Sequence, residues 1–118
     1  MKEFFEYLQK LGGLHDAVMT DLRWKPAERT IELHFNDLFS NFDGLPEYPG
    51  RQPAVIVLHG VSDVRIDIET NHSALRVFEF LAREGSSDAV TITFSPSGRI
   101  ESRLQSADYP PFQLSTGG

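Results

Sequence analysis

The sequence predicts an α+β domain in which one N-terminal helix packs on a curved, mainly antiparallel sheet of about six strands. Apolar residues recur at helical spacing at the start of the chain and alternate at strand spacing through much of the remainder. The length of 118 residues suffices for one domain of ordinary size and is short for two. We expect the domain to cover residues 1–108, with residues 109–118 as a tail.

The N-terminal helix is predicted over residues 2–11. Phe4, Leu8 and Leu11 recur at a spacing close to 3.6 residues, which places them on one helix face. Phe5 widens this apolar stripe, and the two glycines that follow the helix supply its end. A helix this short needs a sheet to pack against.

The first two strands are predicted to form a hairpin around a turn at residues 26–29. Val18, Leu22 and Trp24 share the inward face of the first strand by alternation. One register then satisfies both faces, because it pairs apolar residues on the inside and opposite charges on the outside. The predicted pairs are Trp24–Ile31, Leu22–Leu33, Arg23–Glu32 and Asp21–His34.

Further strands are predicted downstream of a long proline-rich loop. Residues 54–59 form a nearly continuous apolar run, and residues 64–68 alternate apolar and charged side chains. Residues 75–83 fit a helix by spacing and a strand by their Val and Phe content, and we favour the strand. The final hairpin is predicted to pair Phe94 with Ile100 across a three-residue turn at 96–98, with Pro at its first corner and Gly at its last.

Composition excludes several function classes. The chain has no cysteine, so disulfides and thiolate metal sites are absent. Its net charge of −6 disfavours a general affinity for nucleic acid or for an anionic membrane. No apolar run approaches the ~20 residues of a membrane span, and the N-terminus lacks a cleavage site, so we expect a cytoplasmic protein. No nucleotide, nucleophile or metal motif is present, and we expect neither a cofactor, a metal nor an enzymatic activity.

His15 and Asp16 are the most notable polar pair, because they stand between the helix and the first strand. One interpretation is a general base oriented by a carboxylate, or a polar contact for a partner. The other is structural: Asp16 bonds nearby amides in a turn while His15 satisfies carbonyls at the helix end. Adjacent side chains of an extended chain point to opposite faces, which favours the structural interpretation.

The loop at residues 37–53 concentrates negative charge among aromatic side chains. Aromatic anchors rimmed by one sign of charge are typical of a surface that grips a complementary protein. The alternative is that the aromatic residues fold inward and the acids are merely solvated. The candidate partner-binding residues are Asp37, Phe39, Phe42, Asp43, Glu47 and Tyr48.

Two short motifs carry a resemblance to a known group of proteins: Leu14-His15-Asp16-Ala17 before a strand-turn-strand unit, and Leu58-His59-Gly60-Val61 before another strand. The sequence resembles small bacterial domains with an HDA motif ahead of a β-rich body, some of them assigned as immunity proteins of polymorphic toxin systems. The resemblance implies a non-enzymatic binding module with His15 and Asp16 as its signature positions.

Two functions therefore remain open. The first is an acidic interaction domain, immunity-like in one form, that binds a basic protein partner. The second is a small-molecule-binding domain or enzyme with a cleft bordered by His15 and Asp16. Pairing of two copies through an exposed strand edge is a further expectation.

Overall fold

The computed structural model describes residues 2–37, 53–69, 75–85 and 88–110. These residues form one α-helix, eight strands and two short 3-10 helices, at Gly12–Leu14 and Pro26–Glu28. The helix α1 spans Lys2–Lys10. The strands are β1 Val18–Lys25, β2 Thr30–Phe35, β3 Ala54–His59, β4 Ser62–Asp67, β5 Leu75–Arg83, β6 Ala89–Ser95, β7 Arg99–Arg103 and β8 Ser106–Asp108.

The α+β class is confirmed, because α1 accompanies a large sheet whose neighbouring strands are all antiparallel. The expected number of about six strands is wrong, since the described residues form eight. β8 has only three residues, which is too short for apolar alternation to show in the sequence. The stretch with two interpretations, Leu75–Arg83, is a strand, as favoured.

The order of the strands forces the sheet to curl. That order is β4-β7-β6-β5-β1-β2-β3-β8, so β3 lies six positions from β4, and β7 six from β8. In a flat sheet the two strands of each pair would be about 29 Å apart. However, only residues 60–61 connect β3 to β4, and only residues 104–105 connect β7 to β8. A connection of two residues spans at most about 11 Å. The two ends of the sheet therefore approach each other. The links also touch, because a Cβ built on Gly60 would lie 2.6 Å from Gln105 Oε1.

The first hairpin forms in the predicted register. A bulge between Met19 and Asp21, which alternation does not reveal, shifts the upstream part of β1. Met19 is therefore buried, whereas Val18, expected on the inward face, is only partly buried. Trp24, expected on the same face, is 45% exposed, so the inward placement is wrong for this residue. The pairs confirmed are Trp24–Ile31, Leu22–Leu33, Arg23–Glu32 and Asp21–His34.

The last hairpin, between β6 and β7, forms two residues away from the predicted register. Ile92 lies opposite Ile100, where the prediction placed Phe94. The Phe94 N–H donates to the Gly98 carbonyl at 3.0 Å, which continues the same register to this pair. The turn therefore still has three residues, but they are residues 95–97 instead of the predicted 96–98. A shift by an even number of residues keeps each side chain on its face, so the predicted core residues of β6 remain buried.

The helix α1 docks on β5 through aromatic rings. Phe4 is 2% exposed and meets Phe80 edge-on, with 6.1 Å between the ring centroids. Tyr109 lies 5.2 Å from Phe4 and 4.3 Å from Tyr7, again between centroids. Burial, with Tyr109 beside it, raises the pKa of the Tyr7 hydroxyl well above its usual range. Tyr109, the first residue of the expected tail, thus packs on the helix, while residues 111–118 lie outside the described part.

Candidate functional site

His15 and Asp16 lie in the turn between α1 and β1, and both are attached to β5. The Nδ1–H of His15 donates to the Phe78 carbonyl at 2.8 Å, and the two rings meet edge-on at 5.7 Å between centroids. The amide of Asp16 donates to the Val77 carbonyl at 2.9 Å. Since a carbonyl can only accept, the hydrogen of a neutral His15 ring sits on Nδ1.

These contacts are those of a turn fastened to a neighbouring strand. Nε2 of His15 is 3.7 Å from Asp16 Oδ2, which is too long for a hydrogen bond. Both side chains are more than half exposed, and neither lines the groove between α1 and β5 or the cleft across β4, β7, β6 and β5. The geometry therefore accounts for both residues as structural elements of the α1–β1 connection.

His34 and Asp21 are register partners, as predicted, but their side chains bond elsewhere. His34 Nε2 lies 3.2 Å from Glu32 Oε1 on its own strand, and Asp21 Oδ2 accepts from Arg23 Nε at 2.8 Å. Lys25 Nζ lies 2.8 Å from the other Glu32 oxygen. The hydrogen bond from Lys25, then that from His34, lowers the pKa of Glu32, and the bond from Arg23 lowers that of Asp21.

His59 ends β3, and its Nε2 contacts Asp108 Oδ2 of β8 at 2.7 Å. His72 lies outside the described residues. Within the described ranges, no group of three or more His, Cys, Asp or Glu side chains is arranged to hold a metal ion.

Of the candidate partner-binding residues, only Asp37 falls within the described part of the chain. It is buried, at 5% exposed, so its carboxylate does not form part of the accessible surface. The residues that lie outside the described part are Phe39, Phe42, Asp43, Glu47 and Tyr48.

A groove of about 650 Å³ runs between α1 and β5, and we call it the helix–strand groove. Its apolar surface includes Phe5 and Leu81. Leu81 is a large apolar side chain, and 53% of it is exposed. Three exposed carboxylates and one exposed ammonium group line the groove. The charged residues of the groove are Glu6, Glu79, Glu84 and Lys2.

Sequence reasoning missed this groove because its carboxylates come from elements far apart in the chain. Glu6 is an ordinary exposed residue of an amphipathic helix, and Glu79 an ordinary outward residue of a strand. Only the docking of Phe4 on Phe80 brings them to one groove. Alternation gave no signal either, because counting from Leu75 and Val77 it assigns Leu81 to the inward face, and only a bulge between Val77 and Glu79 turns Leu81 outward.

A second cleft, of about 980 Å³, lies across β4, β7, β6 and β5, and we call it the arginine cleft. Two of its arginines are paired with acids: Arg103 Nε lies 3.2 Å from Asp63 Oδ2, and Arg99 contacts Glu101. Leu81 lines this cleft as well as the helix–strand groove. The charged side chains of the helix–strand groove are thus mainly carboxylates, those of the arginine cleft are mainly guanidinium groups, and Leu81 lines both. The arginines of the cleft are Arg65, Arg83, Arg99 and Arg103.

Comparisons of the chain with protein-family models, with curated proteins and with solved structures find no match. Among the described residues, no helix is long and apolar enough to cross a membrane. The resemblance to HDA-motif domains therefore stays a prediction, and the function is argued from geometry and charge.

Proposed function

We propose that this domain is a protein-interaction module that binds a basic partner at the helix–strand groove. The observation that carries the proposal is the combination of apolar surface, at the exposed Leu81 and the half-buried Phe5, with three exposed carboxylates in the same groove. Apolar contacts supply desolvation energy when a partner covers them, and the carboxylates accelerate the approach of a cationic surface.

The distribution of charge around the groove supports this polarity. The arginine cleft holds four arginines against two carboxylates, Asp63 and Glu101, and this excess of positive charge disfavours a cationic partner there. A basic segment is therefore directed to the side that carries Glu6, Glu79 and Glu84. An immunity protein that covers the basic active-site cleft of a toxin is one form of this function, and that form rests on the sequence resemblance.

The test is binding of a fluorescein-labelled hexapeptide that alternates lysine and valine, followed by fluorescence anisotropy at two salt concentrations. The triple variant Glu6→Gln, Glu79→Gln and Glu84→Gln should bind at least about tenfold more weakly than the wild type, because three cationic contacts are lost. The wild-type affinity should also fall as salt is added.

The matched control changes three exposed acids that do not line the groove, Glu3→Gln, Glu28→Gln and Glu69→Gln. It removes the same total charge, so its affinity should stay within about twofold of the wild type. Equal losses in the two triple variants would assign binding to overall charge, and no binding by the wild type would remove the proposal.

A further inference from the structure

The strand β5 has two different edges along its length. Its first residues pair with β1, through Leu75–Met19 and Arg76–Val18. Pairing with β1 stops there, while β5 continues to Arg83, and within the described ranges this second part of β5 has only β6 as a strand neighbour. Although β5 lies in the middle of the strand order, its second half is therefore unpaired on the side of β1, and this open side borders the helix–strand groove.

The hydrogen-bond pattern shows which backbone groups of this half face the groove. The Phe94 N–H bonds across to β7, so the odd-numbered residues of β6 are the ones that face β5. Thr91 lies opposite Leu81, and these two exchange the hydrogen bonds of that pairing. Phe80 and Ala82 alternate with Leu81, so their N–H and C=O groups point away from β6 and toward α1.

Two observations agree with this orientation. β5 has a bulge between Val77 and Glu79. Just before this bulge, the Val77 N–H donates to the Ala17 carbonyl and the Val77 carbonyl accepts from the Asp16 N–H, so both groups face β1. Farther along, a Cβ built on Gly13 would lie 3.6 Å from the Phe80 oxygen and 3.8 Å from its nitrogen. The glycine turn thus lies against this edge at Phe80 and marks where the groove begins.

We propose that the partner segment binds in an extended conformation, as an added strand on the β5 edge from Leu81 to Glu84, beyond the glycine turn. This inference rests on the proposed function and adds the mode of binding. A strand placed beside Ala82 would accept a hydrogen bond from the Ala82 N–H and donate one to the Ala82 carbonyl, since both groups point to the open edge. Alternate side chains of the segment would point toward α1, where Phe5 offers apolar contact.

Charge favours a basic segment over a second copy of this chain. Two copies paired edge to edge would bring two sets of Glu6, Glu79 and Glu84 together, and like charges at an interface disfavour it. A lysine-bearing strand instead places cations beside the same carboxylates. Alternating basic and apolar residues fit this groove, with the apolar residues facing the helix.

The experiment uses the full chain and the lysine–valine hexapeptide in two N-methylated forms, one blocking the three lysine amides and the other the three valine amides. Successive amides of a strand point to opposite sides. One form should therefore lose about five- to tenfold in affinity, because its N–H no longer donates to the Ala82 carbonyl. The other should stay within about threefold of the unmodified peptide.

A protein variant tests the same edge from the other side. Ala82→Pro removes the outward N–H and should weaken the unmodified peptide about tenfold, while Ala82→Val, which keeps the N–H, should retain binding. Far-UV circular dichroism checks that Ala82→Pro is folded, and the methylated peptides test the wild type if it is not.

The outcomes separate the two proposals. If the peptide binds in a carboxylate-dependent way but both methylated forms bind alike, the added strand is wrong and the proposed function stands. If the peptide does not bind at all, the proposed function itself fails. A concentration-dependent dimer that Ala82→Pro abolishes would show that a second copy occupies the edge, and would overturn the inference.

Discussion

The docking of α1 on β5 creates the helix–strand groove, and a double-mutant cycle between Phe4 and Phe80 tests it. The rings are 2% and 1% exposed, and their centroids are 6.1 Å apart in an edge-on arrangement. Each Phe→Leu change should cost about 1–2 kcal/mol, since it removes buried ring volume while keeping an apolar side chain. Against a total stability of about 5–15 kcal/mol, the variants stay folded.

The quantity that reports on the contact between the two rings is the coupling energy, which is the departure of the double variant from the sum of the two single changes in unfolding free energy. An edge-on pair contributes about 0.5–1.5 kcal/mol beyond area, and each single variant loses all of it. The double variant should therefore cost about 1 kcal/mol less than the sum of the single changes. Urea denaturation followed by far-UV circular dichroism measures all four free energies of unfolding.

The control cycle pairs Phe4→Leu with Phe35→Leu. Phe35 is equally buried but stands on β2, and the ring contacts described for Phe4 are with Phe5, Phe80 and Tyr109. These two changes should add to within about 0.5 kcal/mol. Additive behaviour of Phe4 with Phe80, or equal coupling with Phe35, would show that α1 does not dock on β5 as described.

Two further predictions concern the sheet. The folded state holds the pKa of Glu32 below its ordinary value of 4.5, so its pairing with Lys25 stabilises the fold above that pH and is lost as the pH falls through the lowered pKa. The difference in unfolding free energy between the wild type and Glu32→Gln should thus be present at neutral pH and vanish in acid, as pH-dependent urea titrations would show; a difference that persisted unchanged in acid would contradict this pairing. Gly60→Ala should destabilise the protein by about 1–3 kcal/mol, because φ is +64° and the new Cβ meets Gln105. Gln105→Ala should relieve only the steric part of that cost, and a cost unchanged in the Gln105→Ala background would mean that the two links do not touch.

Local patterns were enough to predict the elements and part of the register. The first hairpin could be paired from sequence because alternation and charge pairing select the same register on two faces, as at Trp24–Ile31 and Arg23–Glu32. The second hairpin was misplaced by two residues, since an even shift leaves every side chain on its face and alternation cannot detect it. The bulge at β1 was missed because one extra residue changes pairing without changing composition.

The candidate site shows the same division. The N-terminal amphipathic helix and most of the strands follow from the amino-acid sequence alone, because they depend on residues close together in the chain, and the excess of acid follows from composition. The folded structure was needed to show that Asp37 is buried, that His15 bonds a strand carbonyl, and that carboxylates from α1 and β5 share one groove. The open edge of β5 likewise depends on where β1 stops pairing. Such features arise from contacts between distant segments, and no local pattern of residues encodes the path that brings those segments together.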